Sequence, residues 1–234
     1  MCRAAPATTL MNMRSSARAD WLVPAALIVL SAGPVLASAI RIAELSGGAE
    51  VTAANARFFT APVPIVVHVI SGSVYSVAGA FQFSPGFRRR RRGWHRAAGR
   101  LLVPLGLAAA LSALWMTRFS LLPATDGDLL GAFRLVFGSA MVVSIVLGVA
   151  ALRRRDIARH GAWMTRGYAI GVGAGTQAVV LGTWTASIGQ PDPLSRALLH
   201  GAAWVINLAV AEWAIRRRHP GPVRITAPAA ARPV

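Results

Sequence analysis

Apolar residues in this chain gather into six windows of about twenty residues, separated by shorter polar stretches. The windows run over 21–40, 62–83, 101–117, 131–151, 167–188 and 197–215. A helix rising about 1.5 Å per residue needs roughly 20 mostly apolar residues to cross a hydrocarbon core about 30 Å thick. Each window meets or approaches that length, and none alternates with the two-residue period of a barrel strand. Pro24, Pro34, Pro104, Gly171, Gly173 and Gly175 fall inside windows, a placement that membrane helices tolerate better than soluble ones. The pattern predicts an all-α polytopic bundle of six transmembrane helices over 21–218, preceded by a tail at 1–20 and followed by a disordered tail at 219–234.

Charge then threads the windows. Only 14% of the 234 residues are charged, against roughly 25% in a soluble domain. All 25 basic residues are arginine, facing 8 acids. On a soluble fold that excess would point to nucleic acid, but here the arginines lie between apolar windows. With the N-terminus inside, 20 arginines fall on the inner side and five (Arg41, Arg57, Arg118, Arg134 and Arg196) on the outer. Five of the acids (Glu44, Glu50, Asp126, Asp128 and Asp192) take the outer side. This is the sorting of the positive-inside rule, and it places both termini in the cytoplasm. The run "FRRRRRGWHR" at 87–96 therefore reads as punctuation between spans, since an arginine at mid-bilayer costs about 2.5–3.5 kcal/mol. Its expected partners are anionic lipid headgroups, not nucleic acid. A competing reading makes the first window a cleaved signal, with Ala37-Ser38-Ala39 imitating a cleavage site.

Four stretches stand in a definite order: "AGAFQFSPGF" ending at Phe87, "HRAAGR" at 95–100, "RRRDIARHGAWMTRGYAI" at 153–170 and "WVINLAVAEWAI" at 204–215. With His68 upstream, this set resembles the bacterial multi-pass membrane proteins of domain of unknown function 2306. The resemblance implies an integral protein of a bacterial cytoplasmic membrane and supplies no reaction. His68, His95 and His160 match positions of the family pattern. His200 falls outside that pattern, and Gly161 stands where the family carries an arginine.

Ligand-capable groups inside spans are functional candidates because burying them is costly. His68 and His200 lie at comparable depths below the outer ends of their windows, so the two could share a b-type haem. His68, Gly72, Tyr75 and Gly79 follow one helix face, as do His200, Trp204, Asn207 and Ala211; helix packing alone would produce the same small-residue stripe. His95 and His160 form a second pair at the inner border, followed by Arg100 and Arg166. That group suits a second haem with paired propionates, a quinone head or a lipid phosphate. No metal other than haem iron is expected, since the one cysteine, Cys2, cannot build a thiolate site. Glu212 is spaced to pair with Arg216, Arg134 to reach headgroups or Asp126 and Asp128, and Gln177 and Asn207 to hydrogen-bond across helices. Phosphate-loop, zinc-protease and nucleophile-elbow motifs are missing. Two functions are therefore expected to compete: a non-catalytic scaffold, assembly factor or carrier, and a haem- or quinone-binding electron-transfer protein using the paired histidines.

Overall fold

The computed structural model describes residues 7–52, 55–123 and 125–218. Nine α-helices follow one another among them: α1 (Ala7–Ser46), α2 (Ala56–Thr60), α3 (Pro62–Ala80), α4 (Pro85–Arg90), α5 (Arg92–Phe119), α6 (Gly127–Arg153), α7 (Ile157–Gly171), α8 (Gly173–Ser187) and α9 (Pro193–Arg218). The described residues contain no strand. Five helices are long and apolar enough to cross a membrane, over Trp21–Ser46, Pro62–Phe83, Arg92–Phe119, Gly127–Arg153 and Pro193–Arg217. Their outward faces carry large apolar side chains, Val29, Val63 and Val136 among them, as lipid contact requires. The protein is an all-helical membrane protein.

Helices overrun the apolar windows, because backbone hydrogen bonding does not stop at the lipid boundary and arginine is a good helix former. The segment at 84–100, expected as a loop, is almost wholly α4 and the start of α5. Between α6 and α7 only Arg154–Asp156 remain. Arg155 there takes φ 60°, and Asp156 caps α7 by accepting from the Arg159 N–H at 2.9 Å. The tail expected at 1–20 is helical from Ala7, whereas the one at 219–234 lies outside the described residues.

The fifth window is two helices. α7 and α8, of 15 residues each, meet at Val172 (φ −82°, ψ 3°). Two neighbours on α9 hold the break. The Trp204 ring covers Gly173 so closely that a Cβ there would stand 2.6 Å from it. One residue-turn further, Asn207 Nδ2 donates to the Ala169 carbonyl at 3.1 Å, satisfying an acceptor in the last turn of α7.

Contacts run α1–α3–α5–α6–α9–α8 and back to α1, which makes a ring of six helices with α3 opposite α9. α7 packs on α3, α5, α6 and α9 and so fills the centre of one half of the ring. Past Val172, α8 leaves the centre and becomes ring wall between α1 and α9. One half is thus packed and the other hollow. The packed half centres on Tyr75, Leu102, Ile145, Tyr168 and Ile170, and Tyr168 Oη ties α7 to α3 by donating to the Ser76 carbonyl at 2.6 Å.

The two ends differ in chemistry as well. At the arginine-rich end, Trp21, Phe81, Phe87 and Trp94 interlock edge to face, joining the middle of α1 to α4 and the first turn of α5. Glu212 pairs there with Arg166 through two bonds of 2.5 and 3.0 Å, not with Arg216 as its spacing suggests. The bidentate fork of α7 across a helix interface outcompetes a local, solvated neighbour. α1 itself supplies ring wall: Pro24 is fully buried, and Ser38, at the centre of the signal-like tripeptide, is an ordinary helical residue bonded to the Pro34 carbonyl at 2.8 Å.

Candidate functional site

The hollow half encloses a cavity of about 390 Å³, within the size range of small-molecule sites. Every ring helix contributes: Ser38 from α1, His68 and Gly72 from α3, Ala109 and Ala113 from α5, Arg134 and Gly138 from α6, Gln177 from α8, His200 and Trp204 from α9. Tyr75, Met141, Ile170 and Gly171 form its floor, where α7 ends. Gly72 faces open space, since a Cβ added there meets no atom within 4 Å.

His68 and His200 come to this one cavity from opposite walls. His68 Nδ1 lies 2.8 Å from the Ala109 carbonyl, with Ser112 Oγ at 3.4 Å. A carbonyl oxygen only accepts, so Nδ1 carries the proton and Nε2 keeps its lone pair. His200 Nδ1 lies 2.8 Å from the Arg196 carbonyl, with the same consequence. The two imidazoles therefore have one tautomer each, fixed by backbone, with Nε2 unengaged among the described residues. Three other polar groups that line the cavity are buried and lack partners among the described residues: Tyr75 Oη, Gln177 Nε2 and Arg57 Nε. Each is a donor.

At the mouth, Arg134 Nη1 holds Asp126 Oδ2 at 2.8 Å, one of the partners its position suggests. Arg196 approaches the other carboxylate oxygen at 4.0 Å. Burial lowers the Arg57 pKa, and Arg134 and Arg41 press it further down against the pull of Asp126. Of this group sequence reasoning found only Arg134 with Asp126. Arg57 and Arg196 were missed, although both are arginines in stretches that the charge sorting leaves arginine-poor.

The other expected residues lie elsewhere. His160 Nδ1 donates to the Gly148 carbonyl at 2.9 Å, and His95 Nδ1 is buried without a partner among the described residues. Both belong to the packed half, and neither lines the cavity. Arg100 is exposed. Arg166 is engaged by Glu212 and stacks over Trp163 at 4.6 Å. Asn207 bridges α7, α8 and α9, receiving from Thr176 Oγ1 at 2.7 Å, while Gln177, expected to do likewise, leaves its Nε2 free in the cavity wall. No group of three or more His, Cys, Asp or Glu that could hold a metal ion occurs among the described residues.

Residues 65–215 match the family described as "Predicted membrane protein (DUF2306)". No curated protein and no solved structure matches the chain. The match takes in all four candidate histidines and leaves out α1 and α2, which carry Ser38 and Arg57.

Proposed function

The chain belongs to the domain of unknown function 2306 family of membrane proteins, and on that premise we propose that its histidine-lined cavity holds a b-type haem and serves electron transfer. One observation carries the reading. His68 and His200 share a cavity while each donates Nδ1–H to a backbone carbonyl, the outer-shell arrangement that orients a metal-ligating imidazole and raises its basicity. The remaining surroundings fit a flat, carboxylate-bearing macrocycle. Gly72 keeps the wall beside His68 open, apolar side chains make up most of the lining, and Arg57 Nε offers an unused donor at the mouth. Haem bound there would supply one-electron chemistry. The chain's own part is to hold the ligand through His68 and His200 and to shield it on the side that α7 fills.

In the membrane, the chain crosses six times, with the joined α7 and α8 as the fifth crossing. Its arginine-rich end and both termini face the cytoplasm of a bacterial inner membrane, where Arg88–Arg92 contact anionic headgroups. A quinone is the second reading of the cavity, because its carbonyl oxygens suit the two unpaired donors Tyr75 Oη and Gln177 Nε2. The inner pair, His95 and His160, draws no support as a cofactor site from a half of the bundle that is filled with side chains. Scaffold or assembly-factor roles gain nothing specific from any described residue, and a carrier would need α7 to leave the ring.

The test is an absorption spectrum of the protein purified from haem-replete cells. A Soret band that shifts on reduction is expected, lost in His68→Ala and in His200→Ala and kept in His95→Ala. A colourless wild-type protein removes the haem reading, and a quinone in its solvent extract would then favour the second.

A further inference from the structure

Charge threading assigns twenty arginines to one side of the membrane, so the five on the other, Arg41, Arg57, Arg118, Arg134 and Arg196, need a reason to be there. Four of the five converge. Arg134 and Arg196 both reach Asp126, and Arg57 lies within the field of Asp126, Arg134 and Arg41. Arg41 and Arg57 also share the Phe58 ring, at 4.3 and 4.5 Å from its centroid. The four come from α1, α2, α6 and α9, elements brought together only by the closed ring. Arg118 stands apart, over Phe119.

Charge does not balance at this mouth. Arg41 has its own carboxylate in Glu44. The remaining three guanidiniums face one carboxylate, Asp126, which is 5% exposed, leaving a surplus of two positive charges. Hydrogen bonding does not balance either, since Nε of Arg57 and Nε of Arg196 are buried without partners among the described residues. Unpaired buried donors on charged groups are costly, and that of Arg57, in the wall of a mostly apolar cavity, marks a place for an acceptor.

We propose that Arg57, Arg134 and Arg196 form a receiving site for an amphipathic anion, with its carboxylate or phosphate head on the guanidiniums and its apolar body in the cavity below. Guanidinium forks bind such heads through paired, charge-assisted hydrogen bonds. Asp126 is the resident competitor. It holds Arg134 and Arg196 in position while the site is empty of substrate and shares them when an anion arrives. Arg57 and the cavity also serve the haem reading, so haem and the anion's apolar body are alternative occupants of one space. Its anion has two sources, a soluble organic acid or phosphate from the aqueous phase and an anionic phospholipid whose tail enters between helices.

The test uses the full chain in phosphatidylcholine nanodiscs, titrated by calorimetry with hexanoate and hexyl phosphate, with hexanol and hexyltrimethylammonium as controls. Saturable binding of at least one anion and neither control is expected, weakened about tenfold or more in Arg57→Gln. Asp126→Asn is expected to bind the anion more tightly than wild type and to gain more thermal stability from it, because the ligand then takes the place of the lost carboxylate. Native mass spectrometry of protein taken from its host membrane separates the sources. Retained phosphatidylglycerol that disappears in Arg57→Gln assigns the head to lipid, and its absence alongside hexanoate or hexyl phosphate binding assigns it to a soluble anion. The proposal is overturned if neither probe saturates and no anionic lipid is retained, or if folded Arg57→Gln and Asp126→Asn bind as wild type does. A colourless protein that still binds hexanoate would sink the haem reading and leave this one standing.

Discussion

Gly72 and Gly79 lie two turns apart on α3, and their surroundings are opposite. A Cβ on Gly79 would stand 2.5 Å from the Tyr168 ring, whereas one on Gly72 would meet nothing within 4 Å. The first glycine belongs to the half of the ring that α7 fills, and the second faces the half that α8 leaves open. In the filled half, small residues let large rings reach the axis, as Gly106 and Gly171 do for Tyr75. In the open half, small residues leave room. The same composition therefore makes a plug or a chamber, depending on which side of Val172 it lies. A stripe of glycine and alanine does not by itself say which.

The sharpest way to break this comparison is to put bulk into both halves. Gly79→Leu should destabilise by about 3 kcal/mol, since Tyr168 is anchored by its bond to Ser76 and cannot swing aside; thermal unfolding in detergent reads the loss, and an unchanged midpoint would mean the plug is loose. Arg166→Ala should cost about 2 kcal/mol by taking both hydrogen bonds from Glu212, measured the same way. Glu212→Gln, which keeps one acceptor for the fork, should cost less. Asn207→Ala should cost about 1 kcal/mol, and hydrogen exchange should speed up around Ala169, whose carbonyl it releases. The smallest effect belongs to the open half. Gly72→Ala should fall within about 0.5 kcal/mol of wild type, and a large loss of stability there would show that the cavity wall is closer than the open space beside it implies.

Apolar windows revealed five long spans because lipid thickness imposes one length on every crossing, and that demand is written locally. They did not reveal the break at Val172. Mean apolarity is the same for a straight helix and a bent one, and the bend is set by Trp204 and Asn207, more than thirty residues on. The glycines at 171, 173 and 175 were its visible trace, though they also read as ordinary packing. Depth arithmetic brought His68 and His200 to one level, since rise per residue is fixed. Their convergence on a single cavity needed the ring order, which no window encodes. Local spacing misassigned Glu212 to Arg216 because Arg166 is 46 positions away in sequence. Arg57 and Arg196 were invisible for the same reason, and only their presence on the arginine-poor side hinted at a purpose.

The end of α7 at Gly171 also makes the chamber blind. Below it, fifteen residues of α7 amount to about 22 Å of helix packed on α3, α5, α6 and α9, so a molecule entering past Asp126 has no continuous way through. Reagents that cannot permeate the bilayer should reach His68 from one compartment and never from the other. News of their arrival would have to cross as a displacement of α7.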